Sequence, residues 1–248
     1  MENLFDKVGS YYDLIYEEKD SKSEVDYIIS LLEEYGNKGK DILEFGSGTG
    51  RHGRLLAESG YKVHGVERSG SMVKAAQIID GFTCEEGDIT KVNCKKKFDN
   101  IISIFHVVSY LTENSQVKDL FNNAYKHLKK DGLFIFDVWY SPSVISIKPE
   151  TRIKRFNNKT YSIIRLAEPI NFANKNIVEV KYTYMIENKL TKENLQIKEN
   201  HPMRHFSIPE IKFICEEKGF NLVKTEEWIS GLEPSENTWG VCIVLKRK

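Results

Sequence analysis

Asp41-Ile42-Leu43-Glu44-Phe45-Gly46-Ser47-Gly48-Thr49-Gly50-Arg51 is the stretch that decides how this chain folds. A short apolar run ends at Phe45, three glycines follow at alternate positions, and residues 51–59 carry helical spacing up to Gly60. A short buried strand that runs straight into a helix needs glycines at the turn. Only they accept the tight backbone there and let a ligand approach the unpaired N–H groups at the helix start. In open α/β sheets ligands sit outside the carboxyl ends of the strands. Glu67, at the end of the next apolar run, and Asp88, after the one following, should therefore line one crevice with Gly46.

Strands and helices alternate on both sides of this stretch. Val25, Ile28, Ile29, Leu31 and Leu32 have helical spacing, which predicts a helix over 23–35 stopped by Gly36. Lys62–Glu67 reads as a strand, 69–79 as a helix, Phe82–Glu86 as a weaker strand and 99–105 as a strong one. A helix over 115–128, a turn at Asp131-Gly132 and a strand over 133–139 follow. Such alternation argues for a mostly parallel, doubly wound α/β sheet covered on both faces. Its expected size is seven strands. The last two, over 222–229 and 241–246, are joined too closely for a crossover helix and should pair antiparallel.

Between these halves the pattern changes. Residues 151–199 show no helical signal, and over 177–186 Val178, Val180, Tyr182, Tyr184 and Ile186 alternate with polar residues. That is a half-exposed antiparallel strand, with 161–166 as a candidate partner. The expectation is one domain over 1–248, with 151–200 an inserted antiparallel β layer beside the crevice. Ser207-Ile208-Pro209-Glu210 then reopens the helical pattern with a capping box, and Gly219 closes it.

Composition narrows the function classes. Lys plus Arg and Asp plus Glu are equal at 36 each, which argues against a dedicated nucleic-acid binder, whose affinity comes from a basic excess. No apolar run approaches the roughly 20 residues of a membrane span, and 1–10 lacks the pattern of a signal peptide. Cys84, Cys94, Cys215 and Cys242 form no C-x-x-C pair, so neither a zinc site nor a dithiol motif is expected. Cys215 and Cys242 read as buried apolar residues of a reducing, cytoplasmic protein. Oligomeric state is not written in the sequence.

Gly48, Gly50 and Gly53 spell G-x-G-x-x-G, the dinucleotide fingerprint. Its first glycine belongs at the strand end, however, and that residue is Gly46. Counted from Gly46, the third position is Arg51.

Taken together, E-x-G-x-G-x-G, the acidic end of the second strand, Gly87-Asp88-Ile89 and Phe98-Asp99 resemble the ordered motifs of class I S-adenosylmethionine-dependent methyltransferases over about 41–132. The resemblance implies that S-adenosylmethionine is the cofactor. Its methionyl part would pass Gly46 and Gly48, its ribose would meet Glu67, and its adenine amino group would meet Asp88. Glu44, Ser47, Arg68, Met72, Ile89 and Phe105 flank those positions and complete the expected set. Tyr12 joins it as an aromatic near the N-terminus, where Phe5, Tyr11 and Tyr16 are alternatives.

Loose motifs elsewhere resemble N-methyltransferases of nucleotide-linked deoxyamino sugars: Tyr11-Tyr12-Asp13-Leu14-Ile15-Tyr16, the run 103–111, Asp137-Val138-Trp139-Tyr140-Ser141-Pro142, and His201 with Phe206. Ser109-Tyr110 stands where those enzymes carry Gly-His. The resemblance implies a small sugar-like acceptor, with an amino group as the methylated atom. An oxygen acceptor and a cofactor-binding protein without turnover are the alternatives. His106 and Tyr110 are the candidate catalytic residues, since a hydroxyl acceptor needs a base and an amine needs orientation. Tyr16, Trp139, Tyr140, His201 and Arg204 are the candidate acceptor contacts.

Overall fold

The computed structural model describes Phe5 and residues 7–248. A short α1 (Tyr12–Ile15) leads to α2 (Ser21–Tyr35), whose start is capped by Asp20 accepting from the Ser23 N–H. Then follow β1 (Asp41–Phe45), α3 (Arg51–Glu58), β2 (Lys62–Glu67), α4 (Gly70–Ala75), β3 (Phe82–Glu86) and β4 (Phe98–Ser103). The chain continues through α5 (Asn114–His127), β5 (Leu128–Tyr140), α6 (Ser141–Ser146), β6 (Arg152–Asn157), β7 (Tyr161–Phe172), β8 (Ile177–Asn188) and β9 (Asn194–Phe206). It ends with α7 (Ile208–Glu217), β10 (Phe220–Glu227) and β11 (Gly240–Arg247).

The expected doubly wound sheet is present. Its order is β3-β2-β1-β4-β5-β11-β10, with the first five strands parallel and both β11 and β10 antiparallel to their neighbours. The order reverses between β1 and β4, which opens a crevice at their carboxyl ends. One face of the sheet is sealed by an aromatic cluster in which Phe121 of α5 meets Phe134, Phe136 and Phe220. The other face is sealed by aliphatic residues of α2 and α3, including Ile28, Leu32 and Leu56, against Ile42, Val63 and Ile135.

β6 to β9 form an antiparallel meander. Its last strand joins the main sheet through two parallel pairs, Trp139↔His205 and Tyr140↔Phe206, on the β4 side of β5 and beyond the stretch that β4 occupies. One meander face packs Ile163, Tyr184, Ile186 and Ile197 against Val8, Tyr11, Leu14, Ile15 and Tyr16. The N-terminal segment is thus held between the meander and the glycine loop.

Several boundaries differ from the sequence expectation, each for a local reason. α4 ends at Ala75 and not at 79, because Ala76 is extended and Ile79 turns back to pair with Phe82. β4 ends at Ser103 and not at Phe105. Phe105 and His106 both take left-handed backbone angles (φ 67° and 62°), which carry the chain out of the sheet. β5 begins at Leu128, five residues early, and residues 129–132 bulge out of the ladder around Asp131 at φ 62°. The meander reaches Phe206, past Glu199. α6, opened by Ser141-Pro142, has no sequence signal beyond that proline. No described helix is long and apolar enough to cross a membrane.

Candidate functional site

A cavity of about 500 Å³ opens at the carboxyl ends of β1, β2 and β4. That volume suits a cofactor-sized ligand. Its floor is the glycine loop. Gly46 and Ser47 both donate their N–H to the Val66 carbonyl, at 2.8 and 3.3 Å, which ties the loop to β2. Gly46 is at φ 76°, and a Cβ there would stand 2.6 Å from the Val107 side chain. At Gly48, also left-handed, a Cβ would meet nothing closer than the Met72 sulfur at 3.9 Å. The loop is closed on the protein side at Gly46 and open on the cavity side at Gly48, as a backbone that receives a ligand requires.

Two carboxylates stand over this floor. Glu67 accepts from the Gly48 N–H at 2.9 Å through Oε2 and from the Ser69 N–H at 2.8 Å through Oε1. Asp88 accepts from the Thr90 N–H and hydroxyl, at 2.9 and 2.6 Å. Burial works to raise its carboxyl. The Thr90 hydrogen bonds and the charges of Arg68 and Lys91 outweigh that and hold it below the usual carboxylate range.

The N-terminal segment straps across the loop. The Thr49 hydroxyl donates to Asp13 at 2.8 Å, and the Arg51 guanidinium donates to the Tyr16 carbonyl at 2.5 Å. Phe5, Tyr12 and Tyr16 line the cavity, whereas Tyr11 turns away to meet the Tyr161 ring at 5.2 Å. Burial, then the neighbouring Tyr16 and Glu67, pushes the Tyr12 phenol well above its usual range, so it stays neutral. Lys19 closes one side. Its ammonium lies 2.7 Å from Glu24 and 3.4 Å over the Phe105 ring, and burial lowers its pKa against the pull of Glu24.

The outer part of the cavity is bounded by the loop after β4, the end of β5 and the meander. His106 projects from that loop with Nδ1 2.5 Å from Asp137 Oδ2. The contact is close but is not aligned as a hydrogen bond. Asp137 also accepts the His106 backbone N–H and so braces the left-handed turn. Tyr110, Trp139, Tyr182 and Met203 complete this part of the wall.

Of the cofactor positions expected from sequence, Tyr12, Gly46, Ser47, Gly48, Glu67, Arg68, Met72, Asp88, Ile89 and Phe105 all line the cavity. So do His106, Tyr110, Tyr16 and Trp139. Glu44 does not. Strand alternation turns it to the opposite face of β1 from Phe45, under α3, where its Oε2 has no partner. Tyr140 packs into the aromatic core. Arg204 is drawn away by Glu210 at 2.6 Å and by the Thr112 carbonyl. His201 is buried one layer behind the wall, against Tyr110.

The sequence reading missed Lys19, Thr49, Arg51 and His52, which line the cavity. Arg51 and His52 follow the glycine loop directly, and that adjacency was the available signal. Tyr182 and Met203 were missed as well. In the sequence Tyr182 stands only as one residue of an alternating face.

The position of Glu44 has a measurable consequence. Burial, reinforced by the charge of Glu67 and opposed by Arg54, pushes its carboxyl up to about 8. In the fold it keeps a proton that the unfolded chain has already released, so stability falls as pH rises from the ordinary carboxylate range to about 8. Glu44→Gln removes this slope. Relative to the parent, the variant is expected to be ~4 kcal/mol more stable at pH 8.5 than at pH 5, as read by urea denaturation at both pH values. An equal difference at the two would show that Glu44 titrates normally.

Comparison with known proteins agrees with this geometry. Residues 16–225 match the model of a methyltransferase domain family. The chain is 27% identical, over 98% of its length and 99% of the other, to a protein of Geobacillus sp. (strain WCH70) whose name assigns it to the methyltransferases without a substrate. It is 24% identical, over 55% of its length and 54% of the other, to a dTDP-3-amino-3,6-dideoxy-alpha-D-glucopyranose N,N-dimethyltransferase of Streptomyces fradiae. Among solved structures it is similar to an S-adenosylmethionine-dependent methyltransferase from Clostridium acetobutylicum ATCC 824, with a TM-score of 0.78, 20% identity and 99% of each chain covered. It is also similar to the sugar N-methyltransferase KedS8 from Streptoalloteichus sp ATCC 53650, with a TM-score of 0.80, 17% identity, and 96% and 93% covered.

Proposed function

Because this chain belongs to the methyltransferase domain family and takes its methyl group from S-adenosylmethionine, we propose that it methylates the amino group of a nucleotide-linked sugar. The acceptor binds in the outer part of the cavity, and the meander and the α/β core work as one unit around it. The observation that carries this reading is the makeup of that outer wall. Tyr16, Trp139 and Tyr182 offer aromatic faces for a sugar or base ring. Arg165 donates to the Tyr16 hydroxyl at 3.2 Å and lies 5.5 Å from the Tyr182 ring. Burial raises the Tyr182 phenol to about 12, with Arg165 and Arg152 pulling the other way. The Arg165 guanidinium beside the Tyr16 and Tyr182 rings suits a phosphate of a nucleotide-linked ligand. The similarity to the dTDP-amino-sugar N,N-dimethyltransferase points to the same class.

The cofactor supplies a methyl group on a positively charged sulfur. The roles of this chain's residues are to bind, orient and exclude water. Gly46 to Gly48 bring a side-chain-free stretch of backbone against the cofactor, open at Gly48, Glu67 accepts ribose hydroxyls, and Asp88 with Ile89 meets the adenine edge. Phe5 and Tyr12 close the cavity over them. Positioning of this kind supplies ~7–11 kcal/mol of barrier reduction for a bimolecular transfer.

The contact of His106 with Asp137 favours a second reading. A histidine held by a carboxylate is what an oxygen acceptor needs as its base. Substitution separates the two. With an amine acceptor, His106→Ala is expected to lower turnover by no more than a few fold. With a hydroxyl acceptor the loss is ~100-fold or more, with cofactor affinity retained. The measurement is product mass in assays containing dTDP-3-amino-3,6-dideoxyglucopyranose, dTDP-glucose, and RNA or protein. Methylation of RNA or protein alone, with neither sugar nucleotide modified, would refute a small sugar-like acceptor.

A further inference from the structure

Behind the cavity wall lies a buried polar chain that the roles above leave unused. Tyr110, in the short turn after β4, has its hydroxyl 2.9 Å from Nδ1 of His201 on β9. Nε2 of His201 lies 3.0 Å from Oε2 of Glu199, two residues earlier on the same strand. His201 and Glu199 are both buried, and Tyr110 reaches the cavity. A carboxylate only accepts, so Nε2 carries the hydrogen that it donates to Glu199. Nδ1 is then an acceptor, and the Tyr110 O–H must donate to it. The phenol oxygen keeps lone pairs for a group in the cavity.

We propose that Glu199, His201 and Tyr110 form a proton relay that accepts the methyl acceptor as an ammonium ion and deprotonates it in place. The proposal rests on the amine reading above and deepens it. An ammonium has no lone pair and cannot attack the methyl carbon. In the relay, an N–H⁺ of the acceptor passes its proton to the Tyr110 oxygen as the Tyr110 O–H proton moves to His201 Nδ1. The products of that step are a neutral amine, a neutral phenol, and an imidazolium paired with the Glu199 carboxylate. The amine then forms its bond to the methyl carbon as the carbon–sulfur bond breaks, and its charge is restored by methylation. One proton per turnover is left on His201 and returns through Tyr110 to solvent when the product leaves.

The surroundings suit this direction of transfer. Phe5 and Tyr182 meet the His201 ring edge-on at 4.7 and 4.9 Å and keep water from it. The other titratable groups packed about the chain are Tyr12, Tyr16 and Tyr184, with Arg165 beyond them on β7. Burial raises Tyr110 well above its usual range, so the phenol conducts a proton without becoming a phenolate. Among the described residues Glu199 is the one carboxylate hydrogen-bonded to the ring, and its charge offsets the imidazolium.

Two measurements test this. The first needs no acceptor: long-range ¹H–¹⁵N spectra of histidine-labelled enzyme with S-adenosylhomocysteine bound. His201 is expected as the Nε2–H tautomer with a hydrogen-bonded Nδ1, a signature lost in Tyr110→Phe. An Nδ1–H tautomer would reverse the chain's direction and overturn the relay. The second is kcat/KM against pH with dTDP-3-amino-3,6-dideoxyglucopyranose. Tyr110→Phe is expected to lose ~100-fold at pH 7, the scale of general acid–base catalysis, and to recover to within a few fold once pH exceeds the amine's own pKa. His201→Gln and Glu199→Gln should follow the same profile. A deficit that stays constant with pH would mean that the three residues only hold the wall, and the proposal would fall. If only hydroxyl acceptors are methylated, the amine reading fails, and the relay's geometry stands or falls on the ring spectrum alone.

Discussion

Phe121→Ala is expected to destabilise the fold by ~3–5 kcal/mol, the cost of emptying a phenylalanine site in a close-packed core. Phe121 is fully buried on α5, and its ring meets Phe134, Phe136 and Phe220 at 5.9, 5.8 and 6.1 Å, edge to face in each case. Those partners lie on β5 and β10, so one side chain joins a helix to the middle and the edge of the sheet. The neighbours are themselves in mutual contact, Phe134 with Phe136 at 4.7 Å, and cannot collapse into the space. Urea denaturation measures the change. Phe121→Leu, which refills most of the volume, should cost less than half as much. The folded fraction should keep its affinity for S-adenosylhomocysteine, because Phe121 does not line the cavity. A cost under ~1 kcal/mol would mean that the cluster repacks, contrary to its close edge-to-face contacts.

Glu67→Ala is expected to weaken cofactor binding at least tenfold and as much as 100-fold. Loss of a hydrogen bond to a charged group accounts for ~1.5–3 kcal/mol. The carboxylate also receives the N–H groups of Gly48 and Ser69, and without it these two donors lose that acceptor. The variant therefore loses both a ligand contact and the brace of the glycine loop. Glu67→Gln retains one accepting oxygen and should fall between parent and alanine. Titration calorimetry with S-adenosylhomocysteine reads this directly. Unchanged affinity for the alanine variant would remove Glu67 from the cofactor's contacts.

Both predictions lean on features that were legible to different degrees. The strand–glycine–helix stretch and its acidic partners could be read because the constraint is local. Gly46 and Gly48 must take left-handed angles in a turn of fixed length, and Glu67 ends the adjacent strand. Ten of the eleven cofactor positions named from sequence line the cavity. Glu44 is the exception, since period-two alternation turns its side chain to the other sheet face, where α3 buries it. The reading of Phe105 as strand failed because two consecutive left-handed residues, neither of them glycine, carry no sequence mark.

By itself the sequence determined the element order, the parallel core with its antiparallel close, and the glycine turn that opens a crevice at the first strand end. These follow from periodicity and from backbone demands that only glycine meets. Tertiary structure decided everything that depends on residues far apart in the chain. His201 acquires a partner 91 residues away in Tyr110, and Arg165 one 149 residues away in Tyr16. Arg204, expected at the acceptor, is instead paired with Glu210. Whether a polar side chain faces the ligand, its neighbour or the layer behind depends on where the meander docks on β5 and the N-terminal segment. That docking is set by packing of apolar faces, which specifies burial without specifying which polar groups meet across it.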